Sequence, residues 1–174
     1  WLDGARGFFN GTSLFLRAQG LADAPHLVEL VGGTQRALWQ VATGLAPVKV
    51  DRRGWGRYRA RDYDELVDCP VEMGAFWSGR FVAGGVRHRM VVAGAVPGFD
   101  GKRLLEDTRR ICETAIGLWH GRKARGPAGK APHQDYVFML NAVDDGYGGL
   151  EHRNSTALIC ARKDLPRAVV KGAA

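Results

Sequence analysis

The stretch best suited to chemistry is Tyr147-Gly148-Gly149-Leu150-Glu151-His152. Two adjacent glycines let another backbone come close, because no Cβ stands in the way. A strand left open beside them can pair with an extended peptide. A carboxylate just past the glycines, at Glu151, can accept hydrogen bonds from an ammonium group. Such a charge-assisted bond contributes about 1.5–3 kcal/mol when shielded from water. Gly-Gly plus an acid is therefore a device for holding the first residue of a peptide. The same residues also describe a tight turn with a solvated glutamate, and spacing by itself favours that plainer reading.

A metal site is not legible. The histidines are His26, His88, His120, His133 and His152. None is followed by Glu and no two stand four apart, so the His-Glu-x-x-His zinc motif is missing. The inverted motif, His-x-x-Glu-His, fails because position 148 is Gly. His133, His152 and Cys160 are what another zinc site would draw on, but scattered histidines are more often structural. Cys69, Cys112 and Cys160 lack the short spacings of a zinc knuckle or a redox motif. They read as free thiols of a reducing compartment, so a cytoplasmic location is expected. The acidic group Asp62, Asp64, Glu65, Asp68 and Glu72 lacks the ligand spacing of a calcium loop. An interdomain or solvated surface is the expected role.

The elements around the motif change character along the chain. The first hundred residues read as short strands with frequent turns, the pattern of a β-sandwich or a curved sheet. Strands are expected at Ser13 to Arg17, His26 to Val31, Leu38 to Thr43, Phe81 to Ala83 and Val86 to Ala93. Asp62 to Cys69 reads as a helical turn or a crossing loop. Beyond Asp100, residues Leu104, Leu105, Ile111, Cys112, Ala115, Ile116 and Trp119 share one helical face. The expected helix runs from Gly101 to His120, with Asp100 as its N-cap and Gly121 as its stop. A basic loop follows, through Pro132. Tyr136 to Val143 reads as a strand buried on both faces. A glycine loop over 145–149 and a strand from Ser155 to Ala161 complete the unit. The expected class is α+β: a β-sandwich-like domain over residues 1–98, then a helix and sheet over 99–174.

Composition narrows the function classes. The chain has 174 residues, 45% hydrophobic and 25% charged, as in ordinary globular proteins. No stretch approaches the roughly 20 apolar residues needed to cross a bilayer, so no membrane partner is expected. The net charge is +7. The basic residues are dispersed, in groups at Arg52, Arg53, Arg57, Arg59 and Arg61, at Arg122, Lys123, Arg125 and Lys130, and at Arg162, Lys163, Arg167 and Lys171. The groups lie far apart along the chain, which argues against nucleic acid as a partner. The chain opens at Trp1 without an initiating Met, so a piece of a longer protein is expected.

Three blocks resemble the glycyl-aminopeptidase family of zinc metallopeptidases, of the thermolysin-like, gluzincin type. They are Phe8 to Arg17, Arg61 to Gly74, and Tyr136 to Leu158, in the family's order. The resemblance implies a β-rich domain packed on the opening helix and sheet of a thermolysin-like catalytic domain. It makes Gly-Gly-Leu-Glu-His the motif that binds the substrate's free amine. Glu151 would hold the amine, and Gly148 and Gly149 would pair with the substrate backbone. Leu150 and His152 complete the substrate-binding set, the role of His152 being open between a structural bond and a substrate contact. The family's zinc helix would lie past Ala174, so no catalytic or metal-binding residue is assigned here and this piece is expected to be inactive alone. Zinc is expected in the full-length protein. The implied partners are a peptide with a free, small N-terminal residue such as Gly or Ala, and the rest of the catalytic domain. The alternatives are a non-catalytic β-rich module for extended peptides or acidic polymers, and a scaffold that has lost its zinc helix.

Overall fold

The structure, a computed structural model, describes residues 1–121 and 131–168. Its first part holds strands β1 (Arg6–Phe9), β2 (His26–Leu30), β3 (Gln40–Thr43), β4 (Ala46–Val50) and β5 (Gly56–Ala60), helix α1 (Tyr63–Val67), and strand β6 (Val71–Gly74). Strands β7 (Trp77–Ala83) and β8 (Val86–Ala93) follow, then helix α2 (Gly101–His120) and strands β9 (Asp135–Val143), β10 (Gly148–Glu151) and β11 (Ser155–Ala161). The fold is thus mostly sheet, with few helices.

The strands form three sheets, in the orders β2-β5-β4, β1-β6-β3 and β10-β11-β9-β8-β7. Three cores separate four layers. The two three-stranded sheets enclose Trp39, Val41, Trp55, Tyr58, Leu66 and Val71. The Trp55 indole N–H donates to the Trp39 carbonyl at 3.1 Å, which satisfies its one polar atom. The second sheet then lays Phe8 and Ala42 against Phe76, Val91, Val137 and Met139 of the large sheet's side. On the far face of the large sheet, Met90, Val92, Leu140 and Ala142 meet Leu104 and Leu105 of α2.

Two expected elements match closely. The helix spans Gly101–His120, and the Asp100 carboxylate accepts from the Arg103 amide at 3.0 Å as its cap. The last strand spans Ser155–Ala161. Strands β8, β9 and β11 are mutually parallel where they pair, and α2 is the crossover from β8 to β9. A parallel sheet covered on both faces explains why β9 reads as nearly continuous apolar sequence.

Four expectations are corrected. Ser13 to Arg17 is not a strand. A 3-10 turn at Gly11–Ser13 takes its place, with Leu14 and Phe15 donating back to the Gly11 carbonyl at 3.1 and 2.9 Å. Gly11 lies so close to the α1 backbone that a Cβ would stand 2.6 Å from Val67 Cα, which holds the chain in this tight path. Second, the large sheet runs across residue 98, because β7 and β8 bond to β9 and not to the strands before them. In hydrogen bonding the break lies between Gly74 and Trp77; residue 98 marks only where the crossover helix approaches. Third, Ile111 and Trp119 do not face the sheet but are exposed, while Leu104 and Leu105 pack on it. Fourth, Gly148 and Gly149 belong to a strand and not to the loop. Most of the basic stretch before Pro132, and Lys171, lie outside the described residues.

Candidate functional site

β10 is the edge strand of the five-stranded sheet, held by β11 alone. The pairing is antiparallel, Gly148 opposite Ile159, Gly149 opposite Leu158, Leu150 opposite Ala157 and Glu151 opposite Thr156. Alternation then places Gly149 and Glu151 on the face that carries Leu158 and α2. Gly148 and Leu150 take the opposite face. All five motif residues are together, on one edge and the turn that ends it.

The two glycines differ. A Cβ on Gly148 would meet nothing within 4 Å. A Cβ on Gly149 would stand 2.9 Å from Leu158 Cδ2 and 3.5 Å from Glu151 Oε1. The missing side chain at Gly149 therefore leaves room for the carboxylate above it. Glu151 is exposed, and among the described residues its carboxylate makes no hydrogen bond or ion pair. Its charge is felt by Tyr136, whose hydroxyl is pushed up to about 12 by burial first and then by Glu151. The Tyr136 hydroxyl donates to the Ser155 carbonyl at 3.0 Å. An acceptor-only carboxylate beside an unpaired sheet edge can take a cation that arrives at the end of an extended chain.

His152 is a structural residue in this arrangement. Its side chain is only 8% exposed, and Nδ1 lies 3.1 Å from Asp68 Oδ1. The other Asp68 oxygen accepts the Arg153 amide at 3.0 Å. Asn154 Nδ2 donates to the Gly44 carbonyl at 2.8 Å, and the Cys69 thiol lies 3.7 Å from Asn154 Oδ1. The turn from β10 to β11 is thereby fastened to the first two sheets. Sequence reasoning did not find Asp68 or Gly44. The only signal was the acidic group, and it separates into distinct tasks. Asp62 caps α1 by accepting the Glu65 amide at 2.7 Å, Glu65 accepts the Arg61 amide at 2.6 Å, Glu72 binds Arg6, and Asp68 binds the turn.

The residues do not fit a zinc site. Among the described residues no three His, Cys, Asp or Glu side chains converge. His133, His152 and Cys160 are not brought together. The thiols are free, Cys69 buried and Cys112 and Cys160 partly so. Burial pushes the Cys69 thiol up to about 12, which keeps it protonated and unreactive. No helix among the described residues is long and apolar enough to cross a membrane.

Comparison with known proteins finds similarity to peptidases. Residues 1–75 match the family model of the Peptidase M61 N-terminal domain. The whole chain is similar to an aminopeptidase N family protein from Idiomarina loihiensis, at 40% identity and a TM-score of 0.88. That alignment covers 100% of this chain and 28% of the other, so the chain spans under a third of that protein. An M1 zinc metallopeptidase from Deinococcus radiodurans is similar at 16% identity and a TM-score of 0.43, over 78% of this chain and 29% of the other. At that distance the likeness carries no functional information. No curated protein matches. The chain thus resembles the N-terminal part of peptidases of the M61 and aminopeptidase N kind.

Proposed function

We propose that this chain is the amine-binding part of a zinc aminopeptidase that removes small N-terminal residues, Gly or Ala, from peptides. The observation that carries the reading is the placement of Glu151. Its carboxylate is unpaired among the described residues, at the end of a glycine strand on an open sheet edge. A peptide adding to that edge would pair its backbone with β10 and bring its ammonium to Glu151. Fixing the amine fixes how far the first peptide bond extends from the clamp, which turns a general cleft into an exopeptidase. The 40% identity to a protein named in the aminopeptidase N family supports this.

The helix α2 with the sheet from β7 to β11 is the opening of a thermolysin-like catalytic domain in this reading. Zinc would come from helices of the longer protein, and residues of this chain would bind and orient substrate only. The glycyl-aminopeptidase subfamily accounts for His at position 152 in the motif. The free thiols fit a reducing compartment such as the cytoplasm.

Replacing Glu151 with Gln in the longer protein tests the reading. Removing the charge deletes about 1.5–3 kcal/mol of charge-assisted bonding, or roughly a 10- to 150-fold loss in kcat/KM. The loss is expected on alanine p-nitroanilide and much less on an amine-blocked substrate. Equal loss on both would count against an amine clamp.

A further inference from the structure

We infer that Asp68 is a positioning residue for the amine-binding carboxylate, acting through His152 and the Arg153 amide; this rests on the reading of Glu151 given above. Glu151 is the last residue of β10, and β10 has one strand neighbour. β10 is an edge strand of four residues with glycine at its first two positions, and its end is closed locally by the His152 amide, which donates to the Ser155 carbonyl at 2.9 Å. The same turn is also tied from outside. Residue 152 gives its side chain, residue 153 its backbone, and residue 154 its side chain to three separate acceptors on the first part of the chain.

Asp68 supplies two of those three contacts. It lies at the C-terminal end of α1, where its own amide donates to the Asp64 carbonyl at 3.1 Å. Both of its oxygens are used, one by His152 Nδ1 and one by the Arg153 amide. A carboxylate only accepts, so Nδ1 carries the proton of that bond. That leaves His152 Nε2 buried and without a partner among the described residues. The ring therefore contributes one bond and hides one unused atom. A role in contacting substrate would use Nε2; a role in holding the turn uses only Nδ1. The geometry is that of holding.

The consequence is that the β-rich N-terminal part sets the position of the clamp, and does more than support the second part. Asparagine at position 152 separates the roles, because its amide can donate where Nδ1 does and it has no atom at Nε2.

The test uses the longer protein with Asp68→Ala, His152→Ala, His152→Asn and Glu151→Gln. KM and kcat for alanine p-nitroanilide are measured beside calorimetric affinity for alaninamide, a free-amine probe. Asp68→Ala and His152→Ala are expected to raise KM at least fivefold and to weaken alaninamide by the same factor, with a smaller change in kcat. His152→Asn is expected to stay within twofold of the parent. If Asp68→Ala and His152→Ala lower Tm yet keep KM and alaninamide affinity within twofold, the contact is structural only and the inference is overturned. If His152→Asn is as impaired as His152→Ala, Nε2 matters and the inference is again overturned. Should Asp68→Ala not fold, the two His152 variants decide alone. Glu151→Gln separates the two readings. If it loses alaninamide and the Asp68 and His152 variants do not, only the inference falls. If it too keeps alaninamide, the amine-clamp reading falls with it.

Discussion

Gly148 and Gly44 both lack a side chain, for opposite reasons. At Gly148 nothing among the described residues lies within 4 Å of where a Cβ would stand. In the reading proposed above, that space admits the backbone of an incoming peptide. Gly148→Ala is therefore expected to leave Tm within about a degree, while KM for a peptide substrate rises roughly tenfold, the size of a steric cost of about 1–3 kcal/mol. A lowered Tm with unchanged KM would assign that glycine to folding. Gly44 is the reverse case. A Cβ there would collide with the Asn154 side chain, which donates to the Gly44 carbonyl. Gly44→Ala is expected to destabilise by about 1–3 kcal/mol, or several degrees in Tm by thermal melting. Glu151 could be singled out in the sequence because its motif is contiguous. Asp68 could not, because it acts on His152 from 84 positions away and nothing in local spacing marks such a pair.

Among the elements, β1 and β6 are joined by more than their ladder. Arg6 donates to both Glu72 oxygens at 2.7 Å, and Glu72 is only 2% exposed between the second and third sheets. Burial pushes the Glu72 carboxyl up, and the Arg6 guanidinium opposes that. Arg6→Ala would strand a buried carboxylate and is expected to cost about 3–5 kcal/mol near pH 7. The sign of its pH dependence follows from linkage. With its partner gone, the folded Glu72 binds a proton more tightly than the unfolded chain does. The folded state is then favoured below the ordinary carboxylate range, and stability is lost as pH rises through the raised value. Denaturant melts of parent and variant should therefore differ less at pH 4 than at pH 7; a constant gap would show the carboxylate is not the cause. The long elements were legible because period and length agree over many residues, as in α2, β8 and β11. Of the short strands, β2 and β3 were expected, but β1, β4, β5 and β6 were not. β5 reads Gly-Arg-Tyr-Arg-Ala and β4 is exposed throughout, so neither carries a strong apolar pattern. Ser13 to Arg17 misled for the opposite reason. It alternates like a strand, yet Leu14 and Leu16 are exposed and the Gly11 carbonyl draws the local amides into a turn.

At the scale of the molecule, the four layers place the motif at one rim of the large sheet. α2 packs against β7 at the opposite edge, with Leu105 over Gly79, while β10 lies beyond β11. The catalytic chemistry proposed here must then be completed on the β10 side by parts of the longer protein. The zinc measurement decides between that division of labour and a module that binds peptides without cleaving them. The 174-residue chain and the protein extended to its native C-terminus are compared for metal content and for hydrolysis of glycine and alanine p-nitroanilides. The expected result is one zinc per chain and turnover in the long form, and neither in the short one. If the long form holds no zinc and cleaves nothing, the open β10 edge is left as a strand-addition site, and Glu151→Gln should then weaken binding of a free-amine peptide with no activity to lose. If the short chain cleaves by itself, its own side chains must reach the scissile bond, and the assignment of this chain to substrate binding alone is wrong.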